Sequence, residues 1–378
     1  MKKSYKKNYL LITAFILIFG ACYDPIFYTI SQEVEPIDPR INGGPTNIVI
    51  FNGEMYVASL RNLWKYSGNK IWESRRPGGN FSRLASATDN YLYALVYEET
   101  STKSLKRSIT GDDWEDINAD TGDFNSIQYI YAAGNKLFIG AANADLYAVF
   151  YIEHDAAVPE ITPLAIGSDP EVSYEICGAA SVGTNYFICT KGQGIHLTDF
   201  SAGATLINGS SDIDFAGMIN IGAGKIVAIS RNGELYSVTS ATVEPISGVS
   251  ISGRAATGAL GIWTDPNSPE DMLLLAGRKE SLEYSTSSGY TYGYVELELD
   301  LLEQNGIKSG TQFREPGEYH LSSILDGDNE RFKSTIGKHP VNHLMQAPDG
   351  ILFASTQKNG VWSYREDRNG GPQWNAEE

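Results

Sequence analysis

Asp349-Gly350-Ile351-Leu352-Phe353, followed eight residues after Phe353 by Val361-Trp362, states in one copy the pattern that organises the whole chain. A turn dipeptide opens a short apolar strand, a second turn at Lys358-Asn359-Gly360 closes it, and a branched aliphatic residue begins the next strand. Asp-Gly and Asn-Gly supply the positive φ angles that tight hairpins require, so the stretch is a hairpin flanked by a further turn. The same order recurs from Asn52-Gly53-Glu54-Met55-Tyr56 to Leu63-Trp64 and from Gly134-Asn135-Lys136-Leu137-Phe138 to Leu146-Tyr147.

Four further copies are legible. Phe187 stands eight residues before Ile195, Val227 before Leu235 and Leu274 before Leu282, while Tyr93 and Leu105 form a looser copy. The second anchors fall at 63, 105, 146, 195, 235, 282 and 361, so most steps are 40 to 49 residues long. That is the length of a four-stranded propeller blade, a unit that must stack on copies of itself to bury its faces. Apolar residues occupy both strand parities, as at Leu63, Trp64 and Tyr66, which suits a sheet covered on both sides. The expectation is an all-β β-propeller over residues 46–378, with seven blades and eight as the alternative.

The last step, 79 residues, breaks the rhythm. It is read as an irregular insertion at about 290–341, or as a concealed eighth blade. This segment carries Arg314, Glu315, His320, Asp326, Asp328 and Arg331, and long loops on rigid scaffolds are where binding concentrates. Those six residues are the candidate binding region. Asp300 to Asn305 is the best short helical stretch in the chain.

The amino terminus is an export signal. A basic run, Met1-Lys2-Lys3-Ser4-Tyr5-Lys6-Lys7, precedes an apolar run from Leu10 to Phe19, well short of the ~20 residues that span a bilayer. Phe19-Gly20-Ala21-Cys22 resembles the bacterial lipobox, with Phe19 in place of the usual Leu. The resemblance implies cleavage after Ala21, lipidation of Cys22 and membrane attachment through the acyl chains. Residues 1–21 are then the signal and 22–45, rich in proline and acid, an extended tether. Tyr23 after Cys22 favours the outer membrane of a bacterial envelope, at its periplasmic face or the cell surface.

Charge narrows the partners. The net charge of −17 becomes −21 when the four lysines at 2, 3, 6 and 7 leave with the signal. No Lys/Arg cluster remains to neutralise phosphates, which argues against nucleic acid.

Reactive chemistry is sparse. No His-Glu-x-x-His, phosphate-cradling glycine loop or Gly-x-Ser-x-Gly elbow occurs, so no catalytic residue, metal or cofactor is assigned. His339 and His343 flank Pro340 and read as structural, Asp326, Asp328 and Glu330 as a solvated turn, and Glu153-His154-Asp155 as a charged loop with nothing converging on it. Cys177 and Cys189 flank the turn at Val182-Gly183-Thr184-Asn185. A two-residue loop there sets them on opposite faces of the hairpin and a three-residue loop sets them across from each other. Buried free thiols and a disulfide are the two readings.

Ser285-Thr286-Ser287-Ser288-Gly289-Tyr290-Thr291-Tyr292 resembles the Asp-box of sialidase-like propellers, with Ser287 for Asp and Tyr292 for Trp. Gly111-Asp112-Asp113-Trp114 and Gly371-Pro372-Gln373-Trp374 keep its Gly-x-x-Trp end. The resemblance implies a folding element at a third-to-fourth strand turn, not an activity, and the family's arginine triad and Tyr/Glu pair have no assignable counterparts. The broader resemblance is to exported β-propeller lipoproteins, which implies a non-enzymatic scaffold that binds a protein partner. A glycan-binding or glycan-active propeller and an outer-membrane assembly factor are the alternatives.

Overall fold

Each of the quoted turns separates a pair of antiparallel strands in the computed structural model. Asn52 and Gly53 take φ of 52° and 73°, the left-handed conformation expected of a tight hairpin turn, and join Ile48–Phe51 to Glu54–Ser59. The structure describes residues 41–377, except for 42–43, short loop stretches and most of 280–338. Residues 1–40, including the signal, Cys22 and most of the tether, lie outside the described residues.

The strands form successive antiparallel meanders, and the chain is a seven-bladed β-propeller. Blade 1 comprises Ile48–Phe51, Glu54–Ser59, Asn62–Gly68 and Ile71–Arg75. Blade 2 comprises Asn80–Ala85, Leu92–Tyr97, Lys103–Ser108 and Glu115–Ile117, and blade 3 Ser126–Ala133, Lys136–Asn143, Leu146–Glu153 and Thr162–Pro163. Blade 4 runs through Ile176–Val182, Asn185–Thr190, Gly194–Thr198 and Thr205–Leu206. Blade 5 runs through Phe215–Gly222, Lys225–Ser230, Glu234–Val238 and Val243–Ser250. Blade 6 has three described strands, Ala255–Asp265, Ser268–Lys279 and Tyr294–Glu298, and blade 7 has Val341–Gln346, Leu352–Thr356, Val361–Glu366 and Pro372–Ala376.

The core is divided among the blade interfaces. Seven apolar clusters are found among the described residues, each drawn from two adjacent blades. One of them packs Ile48, Val57, Trp64 and Trp72 of blade 1 against Phe353 and Val361 of blade 7, so the ring is closed. Ile41, fully buried, belongs to this cluster, and Asn342 Nδ2 donates to the Pro45 carbonyl at 3.2 Å. Ile41 and Pro45 thus pack against the propeller.

Blades 6 and 7 are direct neighbours, which removes the eight-blade alternative. Leu275 and Tyr294 share a cluster with Leu344 and Leu352, and Gln346 bonds both backbone groups of Thr264, accepting from N at 2.9 Å and donating to O at 2.8 Å. The 79-residue step has a different origin. Leu274 pairs with Leu297, so the third strand of blade 6 is Tyr294–Glu298 and Leu282 lies outside the described residues. Glu296 and Glu298, expected in the insertion, are thus blade residues. A long excursion within blade 6 and a long connection to blade 7 share the extra length. At the start of that connection Leu302–Glu303 pairs with Gly306–Ile307, a two-strand piece where the sequence offered a helix. A two-residue link ahead of a glycine favours a hairpin over one helical turn.

Leu146 is a second correction. It reads as a core anchor, yet it is 52% exposed, because it is the first residue of Leu146–Glu153 and sits at the turn, opposite Asn143.

Candidate functional site: the central channel

The first strand of every blade faces the axis, and residues of all seven line a channel enclosing about 660 Å³. Most of the wall is aliphatic or backbone, including Ile48, Ala85, Ala132, Ala179, Gly217 and Gly258. Small residues are required where the strands converge. A Cβ on Gly217 would lie 2.3 Å from the Gly258 carbonyl oxygen, too close for any side chain.

Innermost strands have one edge without a ladder partner, and side-chain amides bridge several of these edges. Asn47 on blade 1 donates from Nδ2 to the Leu84 carbonyl at 2.7 Å and accepts from Leu84 N at 3.0 Å. Gln346 makes the equivalent pair between blades 7 and 6, and Asn220 Nδ2 reaches the Ser181 carbonyl at 2.7 Å between blades 5 and 4. Buried backbone groups left unpaired are costly, so these amides hold the ring at its narrowest part.

Four chemically distinctive side chains interrupt the wall: Arg83, Tyr131, Cys177 and His343. The Arg83 guanidinium lies 4.2 Å from the centroid of the Tyr131 ring. Its Nε is buried without a hydrogen-bond partner, and no ion pair involves it among the described residues. Burial pushes the Tyr131 phenol up to about 12, with Arg83 pulling the other way. His343 accepts from Ile48 N on Nδ1 at 3.4 Å, and burial, aided by the Arg83 charge, lowers it to about 4, so it is neutral at physiological pH. Lys103 is also held below its ordinary range, by burial first and by Arg83 second; its Nζ donates to the carbonyl and side-chain oxygens of Gln128 at 3.2 Å each. No Asp or Glu lines the channel among the described residues. Among the described residues of an acidic protein, Arg83 thus stands in the channel wall with an aromatic neighbour and no carboxylate beside it.

The cysteines are free and buried, with the two sulfurs 3.2 Å apart. The loop between their strands is the two-residue one, closed by Val182 opposite Asn185, which by simple alternation sets the side chains on opposite faces. A β-bulge between Ile176 and Gly178 reverses that outcome, because it makes Cys177 an extra residue and turns its side chain towards Cys189.

Other motifs fall elsewhere. His339 Nε2 meets Asn359 Nδ2 at 2.8 Å, away from the channel wall, so the two histidines do not converge on a metal. No cluster of three or more His, Cys, Asp or Glu side chains is found among the described residues. His154 is not isolated, contrary to the sequence reading. Its Nδ1 lies 3.0 Å from Thr88 Oγ1 and 3.1 Å from Asp155 Oδ1, and Tyr93 OH donates to its carbonyl at 2.6 Å. Thr88 of blade 2 and Asp155 of blade 3 both approach Nδ1, so the group ties the two blades together. Trp114 lies at the third-to-fourth strand turn of blade 2, donates to the Gly111 carbonyl at 3.1 Å and packs on Phe81. Trp374 is a buried strand residue of blade 7, and Ser285 to Tyr292 lies outside the described residues. Arg314, Glu315, His320, Asp326, Asp328 and Arg331 also lie outside them.

No protein-family profile matches the sequence, and no curated protein does. Solved structures match in fold. YCF48 bound to D1 peptide is 12% identical, with a TM-score of 0.56 over 88% of this chain and 95% of that one. The GH74 enzyme of Niastella koreensis is 13% identical with a TM-score of 0.57, over 89% of this chain and 55% of that one. A catalytically inactive virginiamycin B lyase from Staphylococcus aureus, with quinupristin, is 9% identical with a TM-score of 0.56, over 87% and 97%. At such identities the likeness is one of architecture, which hosts binding proteins and enzymes alike.

Proposed function

We propose that this protein is a non-enzymatic scaffold of the bacterial envelope, anchored through lipid on Cys22, whose propeller binds a protein partner. The observation that carries the reading is the channel: a wall from seven blades that presents Arg83 beside Tyr131, with no Asp or Glu among the described residues that line it. Such a group binds an incoming polar chain well, while neutral His343 has its Nδ1 occupied by backbone. The structure of YCF48 with a D1 peptide supports the use of this architecture as a peptide platform. Residues 314–331, the candidate binding region read from the sequence, are proposed as a second contact, and the outer membrane is the expected site.

In-cell photo-cross-linking from positions near Arg83 and Arg331 tests it. Recovery of one specific partner, lost when Arg83 is changed to Gln or when 314–331 is deleted, supports the reading; no partner from either position sinks it. Membrane retention of C22S would separately sink the lipid anchor.

A glycan-binding propeller is the second reading, favoured by the pairing of Arg83 with Tyr131 in the channel. It requires an acid from outside the described residues if hydrolysis is to occur.

A further inference from the structure

We propose that Cys177 and Cys189 form a redox-active dithiol in the channel wall that reacts with low-molecular-weight disulfides entering the channel. The inference goes beyond the scaffold reading and depends neither on the lipid anchor nor on a protein partner.

The bulge carries the argument. Regular pairing runs from Val182 opposite Asn185 to Gly178 opposite Cys189, and then slips so that Ile176 meets Thr190. Cys177 has no backbone partner in this register. Without the slip it would face Thr190 and point away from Cys189; with it, the sulfurs stand 3.2 Å apart. A disulfide needs about 2.05 Å, so closure asks for a sulfur movement of about 1 Å, within reach of side-chain rotation at a bulged residue.

The two thiols have different access. Cys177 is 8% exposed and lines the channel, whereas Cys189 is fully enclosed. Burial raises the Cys189 thiol well above its ordinary range, and the hydrogen bond with Cys177 adds to this. Cys177 is therefore the entry thiol and Cys189 the resolving one.

The reaction balances as two exchanges. Cys177 loses its proton to water, and the thiolate attacks one sulfur of a small disulfide, forming a mixed disulfide and releasing one small thiolate. Cys189 then gives up its proton to the released thiolate or to water and attacks the Cys177 sulfur, expelling the second small thiol. Two protein thiols are oxidised to one disulfide and the small disulfide is reduced to two thiols.

The test uses the folded full-length protein, hydroxyethyl disulfide as probe, an acid quench and peptide mapping, which keeps Cys22 separate. Wild type should lose two hydrogens in a single 177–189 link. In C189A a mixed disulfide should accumulate on Cys177, and in C177A Cys189 should react at least about tenfold more slowly. The proposal is overturned if the wild-type pair stays reduced, if Cys189 in C177A reacts as fast as Cys177 in C189A, or if wild-type oxidation proceeds only at the global unfolding rate.

Discussion

Trp72 at the outer edge of blade 1 donates its indole N–H to Glu377, just past the last strand of blade 7, at 2.9 Å. Glu377 is fully buried, accepts from Arg365 Nη2 at 2.6 Å and also accepts from Ser363. Burial pushes its carboxyl upward, while Ser363, Arg365 and Trp72 draw it back. Ser363 and Arg365 of blade 7 hold the carboxylate in place for Trp72, and Arg365 Nη2 also donates to Tyr66 OH of blade 1 at 3.2 Å, so the cluster ties the seam. Changing Glu377 to Ala leaves Arg365, 14% exposed, without its partner, and should cost about 3 kcal/mol. The loss is read as a fall in the urea midpoint, and a change below ~0.5 kcal/mol would contradict the account.

Asn47 should be as sensitive as a hydrophobic core residue. N47A orphans both backbone groups of Leu84, at about 1–3 kcal/mol for each group left unsatisfied. N47D keeps the acceptor but directs a carboxylate oxygen at the Leu84 carbonyl, so it should destabilise at least as much. Hydrogen exchange at the Leu84 amide reports the loss directly.

Gly217 gives a steric prediction. In G217A the new methyl meets the Gly258 carbonyl oxygen at 2.3 Å, and both sides of that contact are backbone. The inner strands of blades 5 and 6 must separate, with an expected cost of about 1–3 kcal/mol. A thermal midpoint equal to wild type would refute the close approach.

Acid should weaken the fold below neutrality through buried neutral histidine. His196 is 3% exposed, makes its bond to the Gln193 carbonyl through Nε2 at 3.0 Å, and has no partner on Nδ1. Burial lowers it to about 4, against about 6.5 in the unfolded chain. Unfolding therefore takes up a proton between those values. Its contribution is complete above about pH 6.5 and declines as the pH falls towards 4, by an upper bound of roughly 3 kcal/mol. Urea titrations across that window should show a smaller decline for H196Q than for wild type.

The blade architecture was legible because turn chemistry is local: Asn52-Gly53, Gly134-Asn135 and Asp349-Gly350 each mark a first-to-second strand turn. The channel was not. Its lining comes from first strands such as Asn80–Ala85, whose Arg83 looks like any surface arginine until the ring brings it to Tyr131 of the next blade. An arginine set between Phe81 and Leu84 on an inner strand was the available signal, but the repeat was read from second and third strands. Leu282 shows the cost of extending a spacing rule into an irregular blade, since the strand that pairs with Leu274 starts only at Tyr294. The thiols show a different limit. Loop length alone puts Cys177 and Cys189 on opposite faces, and only a bulge, which no turn residue announces, reverses that.

The seam also changes how the chain fails. An open stack of repeats is a line with two loose ends, and its terminal units fray first because each has one neighbour. Here Trp72 and Phe353, with rings 6.0 Å apart in an edge-on contact, give blades 1 and 7 two neighbours each. The line becomes a loop, and no blade is terminal. Cutting the seam would restore the ends and let the blades melt in sequence.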